Sequence, residues 1–272
     1  MSEGPLNIAI IGVSGRLGRA IARQLLLRND LRITGGVVSA QSANKGADIG
    51  ELAGVGFKGV ETVVRLEDAI AGAQIVIDAS QPAVSIAVAE RLAEQGGPCY
   101  ITGTTGWTPE QEDRLLKVSQ KIPVLVASNF SLGLAVLEHL MARAAQLLDT
   151  HDYDLEIIET HHRAKIDAPS GTALSLGNAA AKVREASLSL AMVTDRANQS
   201  TRRETGDIGF SSVRGGGVVG EHEARFMSDH EEISIGHRAF DRSVFAHGAI
   251  EAARWIVDKP AGLYSMQDVI AR

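Results

Sequence analysis

Leu6-Asn7-Ile8-Ala9-Ile10-Ile11-Gly12-Val13-Ser14-Gly15-Arg16-Leu17-Gly18 is the stretch that decides the fold. Its first six residues are a short uncharged run rich in isoleucine, the pattern of a strand buried on both faces of a parallel sheet. Three glycines at spacing three follow. They allow a tight turn with positive φ and let a phosphate group come close to the backbone. Leu17, Ile21 and Leu25 then recur every fourth residue while Arg16, Arg19, Arg23 and Arg28 fall elsewhere, so an amphipathic helix starts here and packs on the sheet. The free amides and positive dipole end of such a helix suit a pyrophosphate. G-x-x-G-x-x-G is a variant of the dinucleotide signature. Taken alone it also fits an ordinary βα turn, and its position between the first strand and the first helix is what favours the dinucleotide.

Outward from that turn the alternation continues. Strand-like runs at 31–38, 74–79, 98–102 and 123–127 are separated by helical patterns at 66–71, 82–95 and 109–120, which predicts a Rossmann-like, doubly wound α/β parallel sheet. Ligands of such sheets lie over the carboxyl ends of the strands. The segments there, Asp78 to Pro82, Gly103 to Trp107 and Ala127 to Ser131, are rich in glycine and small hydroxyl residues that leave backbone accessible to a flat nicotinamide ring. The second strand ends Val37-Val38-Ser39-Ala40, without the carboxylate that grips a ribose 2′-hydroxyl about 20 residues past the turn. The first acid is Asp48. Ser39, Gln41, Ser42 or Lys45 could instead donate to a 2′-phosphate, so NADPH is the expected cofactor, with NADH accepted alongside it.

After Asn129 the grammar changes. A helix over 132–148, a strand over 153–160, a helix over 171–185, a polar loop over 186–206 and strands at 208–213, 218–227 and 232–237 predict a second, α+β domain whose sheet is mixed or antiparallel. A last helix, 243–258, returns to the first domain. The expected division is a dinucleotide-binding domain of residues 1–129 plus 242–272 and a substrate-binding and oligomerisation domain of 130–241. Long strands with few covering helices need a partner surface, which predicts a homo-oligomer built sheet on sheet.

The bulk numbers narrow the class. The chain has 272 residues, 44% hydrophobic and 22% charged, with a formal charge of −6. That is globular composition, with no general attraction for nucleic acid or an anionic membrane. Cys99 is the single cysteine, no Cys/His cluster has metal-ligand spacing, and no apolar run approaches ~18 residues. Met-Ser-Glu-Gly-Pro-Leu-Asn lacks a basic leader region. A reducing cytoplasm is the expected compartment.

The chemistry concentrates in Glu159-Thr160-His161-His162-Arg163-Ala164-Lys165-Ile166-Asp167-Ala168-Pro169-Ser170-Gly171-Thr172-Ala173. Imidazoles exchange protons near neutral pH, and adjacent residues of a strand face opposite sides, so His161 and His162 need not share a role. Lys165 can pair with a carboxylate or donate a proton. Ser170-Gly171-Thr172 opens a helix whose amides suit an anion. Together they describe a receptor for a small carboxylate beside a proton-transfer group. Glu159 could orient His161. His222 and His237, in strand-like stretches, and His151, His230 and His247, at turns or helix ends, read as structural or surface residues.

Over nearly its whole length the chain resembles the 4-hydroxy-tetrahydrodipicolinate (dihydrodipicolinate) reductase family. The resemblance is carried by Gly12 to Gly18, Gly103-Thr104-Thr105-Gly106, Asn129-Phe130-Ser131, His161 to Thr172, and Arg214 through Gly220-Glu221-His222 to Phe245-Ala246-His247-Gly248. It implies an NAD(P)H-dependent reduction in lysine and diaminopimelate biosynthesis. By the same resemblance His161 and Lys165 are proton-transfer residues, and His162, Gly171 and Thr172 contact substrate; the helix-start reading adds Ser170 to the substrate contacts. Gly12, Val13, Ser14, Gly15, Arg16 and Leu17, with Gly103, Thr104, Thr105, Ala127, Ser128, Asn129 and Phe130, form the cofactor site it implies, to which the reading of the second strand's end adds Ser39. It also implies a homotetramer and closure of the domains over the ligand. Ser39 and Ala40 depart from the family, which commonly has an acid and then an arginine there. Another two-domain dehydrogenase of amino-acid metabolism, or an NAD(P)H-sensing regulator without turnover, are the alternatives. A regulator has no need of Lys165 beside paired histidines.

Overall fold

The computed structural model describes residues 4–198 and 200–271. They form two compact units, divided between Leu132 and Gly133 and again between Arg242 and Ser243.

The chain opens with β1 (Leu6–Ile11), α1 (Arg16–Leu26), β2 (Leu31–Val37), α2 (Ile49–Leu52), β3 (Thr62–Val63), α3 (Leu66–Ile70), β4 (Ile75–Asp78), α4 (Pro82–Glu94), β5 (Cys99–Thr102), α5 (Pro109–Ser119) and β6 (Pro123–Val126). The second unit contains α6 (Leu132–Leu147), β7 (Asp154–His161), α7 (Gly171–Val183), α8 (Leu188–Ala191), β8 (Met192–Val193), β9 (Ile208–Arg214), β10 (Gly220–Met227) and β11 (Glu232–Ala239). The chain then re-enters the first unit with α9 (Ser243–Ile256), β12 (Gly262–Tyr264) and α10 (Met266–Ile270).

In the first unit seven parallel strands lie in the order β12-β6-β5-β4-β1-β2-β3. The reversal between β1 and β4 is the switch point at which doubly wound sheets bind ligands. Ile8, Ala9, Ile10, Val76, Ile77, Tyr100, Ile101, Val124 and Leu125 are buried, as the uncharged runs require. Helix α1 buries Gly18, Ile21, Ala22 and Leu25, the stripe read from spacing four. Helices α4 and α5 each start with proline in the first turn, and α5 adds a capping box between Thr108 and Gln111.

The second unit is a five-stranded sheet, β11-β10-β7-β9-β8, with β10 antiparallel to β7 and β11, and β9 parallel to β7 and β8. It is therefore mixed. The chain leaves β7, crosses through α7 and comes back in the same direction, and a helical crossover makes a parallel pair. The expected loop over 186–206 holds a turn of helix, α8, and a short strand, β8; Gln199 lies outside the described residues. One face of the sheet is covered by α6 and α7, which bury Leu137, Met141, Leu176 and Ala180 against Leu155, Ile157, Phe210, Ala224 and Phe226. Among the described residues no helix is long and apolar enough to cross a membrane.

Candidate active site

In the first unit the glycine turn runs from the end of β1 to the start of α1. Gly12 has φ +74°, and a side chain there would sit 2.6 Å from the carbonyl oxygen of Ala79. A Cβ on Gly18 would lie 2.3 Å from the carbonyl oxygen of Gly12, so helix and turn are in contact at backbone level. Gly15 precedes α1 with no side chain capping the helix, which leaves the first-turn amides without a side-chain partner at the switch point. That is the cradle a pyrophosphate requires, and the residues fit a dinucleotide.

Around the turn, Ser14 and Leu17 are half-buried and Arg16 exposed, while Val13 is wholly buried and offers only its backbone. Ser39 is exposed just past β2. Asp48, the nearest carboxylate downstream, accepts amides of Glu51, Lys58 and Val60 at 3.1 Å each, so it holds its own loop together and is not a ribose ligand. Gly103, Thr104 and Thr105 follow β5, and Ala127, Ser128, Asn129 and Phe130 follow β6, at the carboxyl ends of neighbouring strands. The hydroxyl of Thr104 donates inward to buried Asp78 at 2.8 Å, and Phe130 is buried against Gly103. These two also contribute backbone, whereas Thr105 and Ser128 are exposed.

The second unit holds a polar constellation on the helix-covered face of its sheet. His161 ends β7, with its Nδ1 2.5 Å from Oε2 of Glu159. Glu159, only 1% exposed, takes two more bonds from Arg214 on β9, at 2.7 Å to Oε2 and 2.6 Å to Oε1, and one from the Ser170 amide at 3.1 Å. Burial alone would raise this carboxyl, but bonds from Arg214, Ser212 and His161 overcome it and bring Glu159 down to about 2. It is an anion at neutral pH. Glu159 thus orients His161 with Nδ1–H towards the carboxylate, leaving Nε2 as the ring atom for proton exchange. Burial lowers His161 below its ordinary value, against the pull of Glu159, so the resting ring is neutral.

Gly220, at the start of β10, makes room for this ring: a Cβ there would lie 3.0 Å from Nε2 of His161. His222, two residues on, meets His161 edge to face at 5.1 Å and approaches the Ser170 hydroxyl with Nε2 at 3.2 Å. Burial brings His222 down to about 3. It is a neutral wedge between the His161 ring and the cap of α7. Of the two roles expected for His222, structural or surface, the structure shows the structural one, since it is 5% exposed and packed against His161 and Ser170.

Past His161 the chain turns, the Lys165 amide bonding the His162 carbonyl at 3.0 Å, and reaches α7. His162 and Thr172 are half-buried and Gly171 exposed, all at the accessible edge of the constellation. Lys165 reaches both carboxylate oxygens of Asp167 at 2.8 Å. Ser170 is engaged within the protein. Its amide goes to Glu159, its hydroxyl caps α7 by accepting the Ala173 amide at 3.1 Å and meets His222, and it is 2% exposed. It supports the site from behind. Glu159, Arg214, His222 and Gly220 complete what the linear run from 161 to 172 began.

A nucleotide-type α/β unit joined to a unit with an oriented histidine, a lysine and an exposed helix start defines a two-unit dinucleotide-dependent enzyme of the oxidoreductase class. Comparison with known proteins is specific. The N-terminal model of dihydrodipicolinate reductase matches residues 6–130 and the C-terminal model residues 133–270. The 4-hydroxy-tetrahydrodipicolinate reductase of Caulobacter vibrioides is 45% identical over 98% of this chain and 97% of its own length, and that of Agrobacterium fabrum 41% over 99% and 98%. The chain belongs to the dihydrodipicolinate reductase family. In fold it is similar to a dipicolinate-bound dihydrodipicolinate reductase from Paenisporosarcina sp. TG-14, with TM-score 0.77 at 22% identity, covering 97% of this chain and 99% of that one. It is also similar in fold to GenD2 from gentamicin A biosynthesis, with TM-score 0.60 at 13% identity, covering 100% and 92%.

Proposed function

We propose that the protein is a 4-hydroxy-tetrahydrodipicolinate reductase of lysine and diaminopimelate biosynthesis, using NADPH or NADH. The reaction consumes one reduced cofactor and one proton and yields tetrahydrodipicolinate, oxidised cofactor and water. The dinucleotide, held by Gly12 to Leu17 and by the backbone after β5 and β6, supplies hydride when bound. The single observation that carries the reading is the Arg214–Glu159–His161 chain beside Lys165 and the exposed Gly171 at the start of α7.

Each residue has a definable part. The amides of Gly171 and Thr172 with the Lys165 ammonium and His162 form an anion receptor for a substrate carboxylate. Arrival of a dianion raises the proton affinity of His161, which then takes up a proton on Nε2, the imidazolium being stabilised by ionised Glu159. His161 then gives that one proton to the reduced ring, with Lys165 as the alternative donor. Ser39, in the place of an acid, supports acceptance of NADPH. The polar face of the second sheet, away from α6 and α7, supports assembly as a homotetramer, and a biosynthetic reductase of this kind works in the cytoplasm.

The test follows NADPH and NADH oxidation optically, with substrate generated in situ from pyruvate and aspartate semialdehyde. Substrate-dependent oxidation is expected. Binding of both cofactors with no substrate-dependent turnover would favour a sensing role instead.

A further inference from the structure

The run that reads as an anion receptor carries its own anion. Both carboxylate oxygens of Asp167 accept bonds from the Lys165 ammonium at 2.8 Å. The Gly171 amide, at the first residue of α7, adds its pull on the same carboxylate, after Lys165 and the residue's own amide. These two donors, a lysine ammonium and a helix-start amide, are the ones proposed above for a substrate carboxylate. The Asp167 side chain is 59% exposed, so it reaches them from the solvent side, as an arriving ligand must.

We propose that Asp167 is an internal stand-in for a ligand carboxylate, holding Lys165 until a substrate or product carboxylate displaces it, and so sets the affinity of the site. The inference rests on the reductase reading, because it assumes that Lys165 and the start of α7 receive a dicarboxylate. The loop geometry keeps it distinct from a structural role. The path of residues 162–170 is fixed by other bonds: the Asp167 carbonyl accepts from Arg214 at 2.7 Å, the Arg163 amide bonds the Gly216 carbonyl at 3.2 Å, and the Ser170 amide bonds Glu159. The carboxylate's side-chain partner is Lys165, a group a ligand would use. Exposed pairs of this kind are weak, so a ligand can displace Asp167, at a cost that appears in its dissociation constant.

The experiment is calorimetric titration of the full-length protein with pyridine-2,6-dicarboxylate, comparing the unaltered chain with Asp167→Asn, Lys165→Ala and the double variant. Asp167→Asn keeps the carbonyl bonded to Arg214 and removes the charge. It is expected to bind the dianion about two- to tenfold more tightly. The gain is expected to shrink in the Lys165→Ala background, where there is no ammonium to release. Equal or weaker binding by Asp167→Asn, with normal binding by the unaltered protein, overturns the stand-in and leaves the reductase reading intact. Absence of binding to the unaltered protein overturns both.

Discussion

Arg214 and Glu159, on neighbouring parallel strands, are joined by two short bonds of 2.7 and 2.6 Å, and the same carboxylate accepts His161 and the Ser170 amide. One buried anion therefore fixes the His161 ring, a cationic strand end and the start of a helix. Removing its guanidinium partner leaves an uncompensated charge in a dry site. Arg214→Ala is expected to destabilise the protein by about 3 kcal/mol, measured by denaturant unfolding, and to lower turnover as His161 loses its fixed orientation.

Replacing His161 by Gln is expected to lower kcat by about two to four orders of magnitude while leaving NADPH affinity almost unchanged. Steady-state kinetics and a direct cofactor titration separate the two quantities. Unaltered turnover would take His161 out of the mechanism.

Gly220→Ala probes the space beside the ring. A methyl 3.0 Å from Nε2 of His161 forces the ring or the strand to give way by a few tenths of an ångström. Misplaced proton-transfer groups lose rate steeply, so kcat is expected to fall by roughly ten- to a hundredfold. The melting temperature and the cofactor dissociation constant should barely move, and a variant with full kcat would show that the ring tolerates the contact.

Acid stability draws on groups whose folded-state values lie below their ordinary ones, His222 and Glu159 among them. His222 is brought to about 3, so the folded protein keeps it neutral while the unfolded chain takes a proton below roughly 6.5; its contribution is present above that pH and is lost as pH falls towards 3. Glu159, at about 2, contributes above roughly 4.3 and loses its contribution as pH falls through 2. Melting curves from pH 7 to 3 should show a steady decline. His222→Gln, which cannot titrate, should flatten the part between pH 6.5 and 4.5; an unchanged slope would mean that His222 is accessible to protons in the folded state.

Cofactor choice can be tested at the end of β2. Ser39→Asp places a negative charge where a 2′-phosphate would lie, so kcat/KM for NADPH relative to NADH should drop about tenfold or more. An unchanged ratio would show that position 39 does not read the ribose.

The parallel sheet was legible because its strands are uncharged runs between helices with a clear stripe, as in β1 and α1. Elements of two to four residues, such as α2, β3, α8 and β8, are too short to show a period, and β12 is an edge strand that only the sheet defines. The direction of β9 was hidden for a different reason: it depends on where a crossover helix delivers the chain. The site divides in the same way. His161, Lys165 and Gly171 are close in sequence and were legible together. Gly220, His222 and Arg214 enter through register, with His222 opposite Glu159 and Arg214 beside His161, and no local pattern encodes which residue of a distant strand will face another.

Because the chain re-enters the first unit at Ser243, the second unit is an insert in a host that closes last. Helix α9 buries Ala246, Ala249, Ile250, Ala253 and Ile256, packing on α1 and β5, and Gly248 admits the Phe130 carbonyl at backbone distance. A nascent chain stalled at Arg242 has every residue of the proton-transfer constellation but a nucleotide unit with an open apolar flank. During synthesis the insert can therefore mature while its host is still sticky, and a chaperone that shields greasy surface should engage β1 through β6 until the final thirty residues arrive.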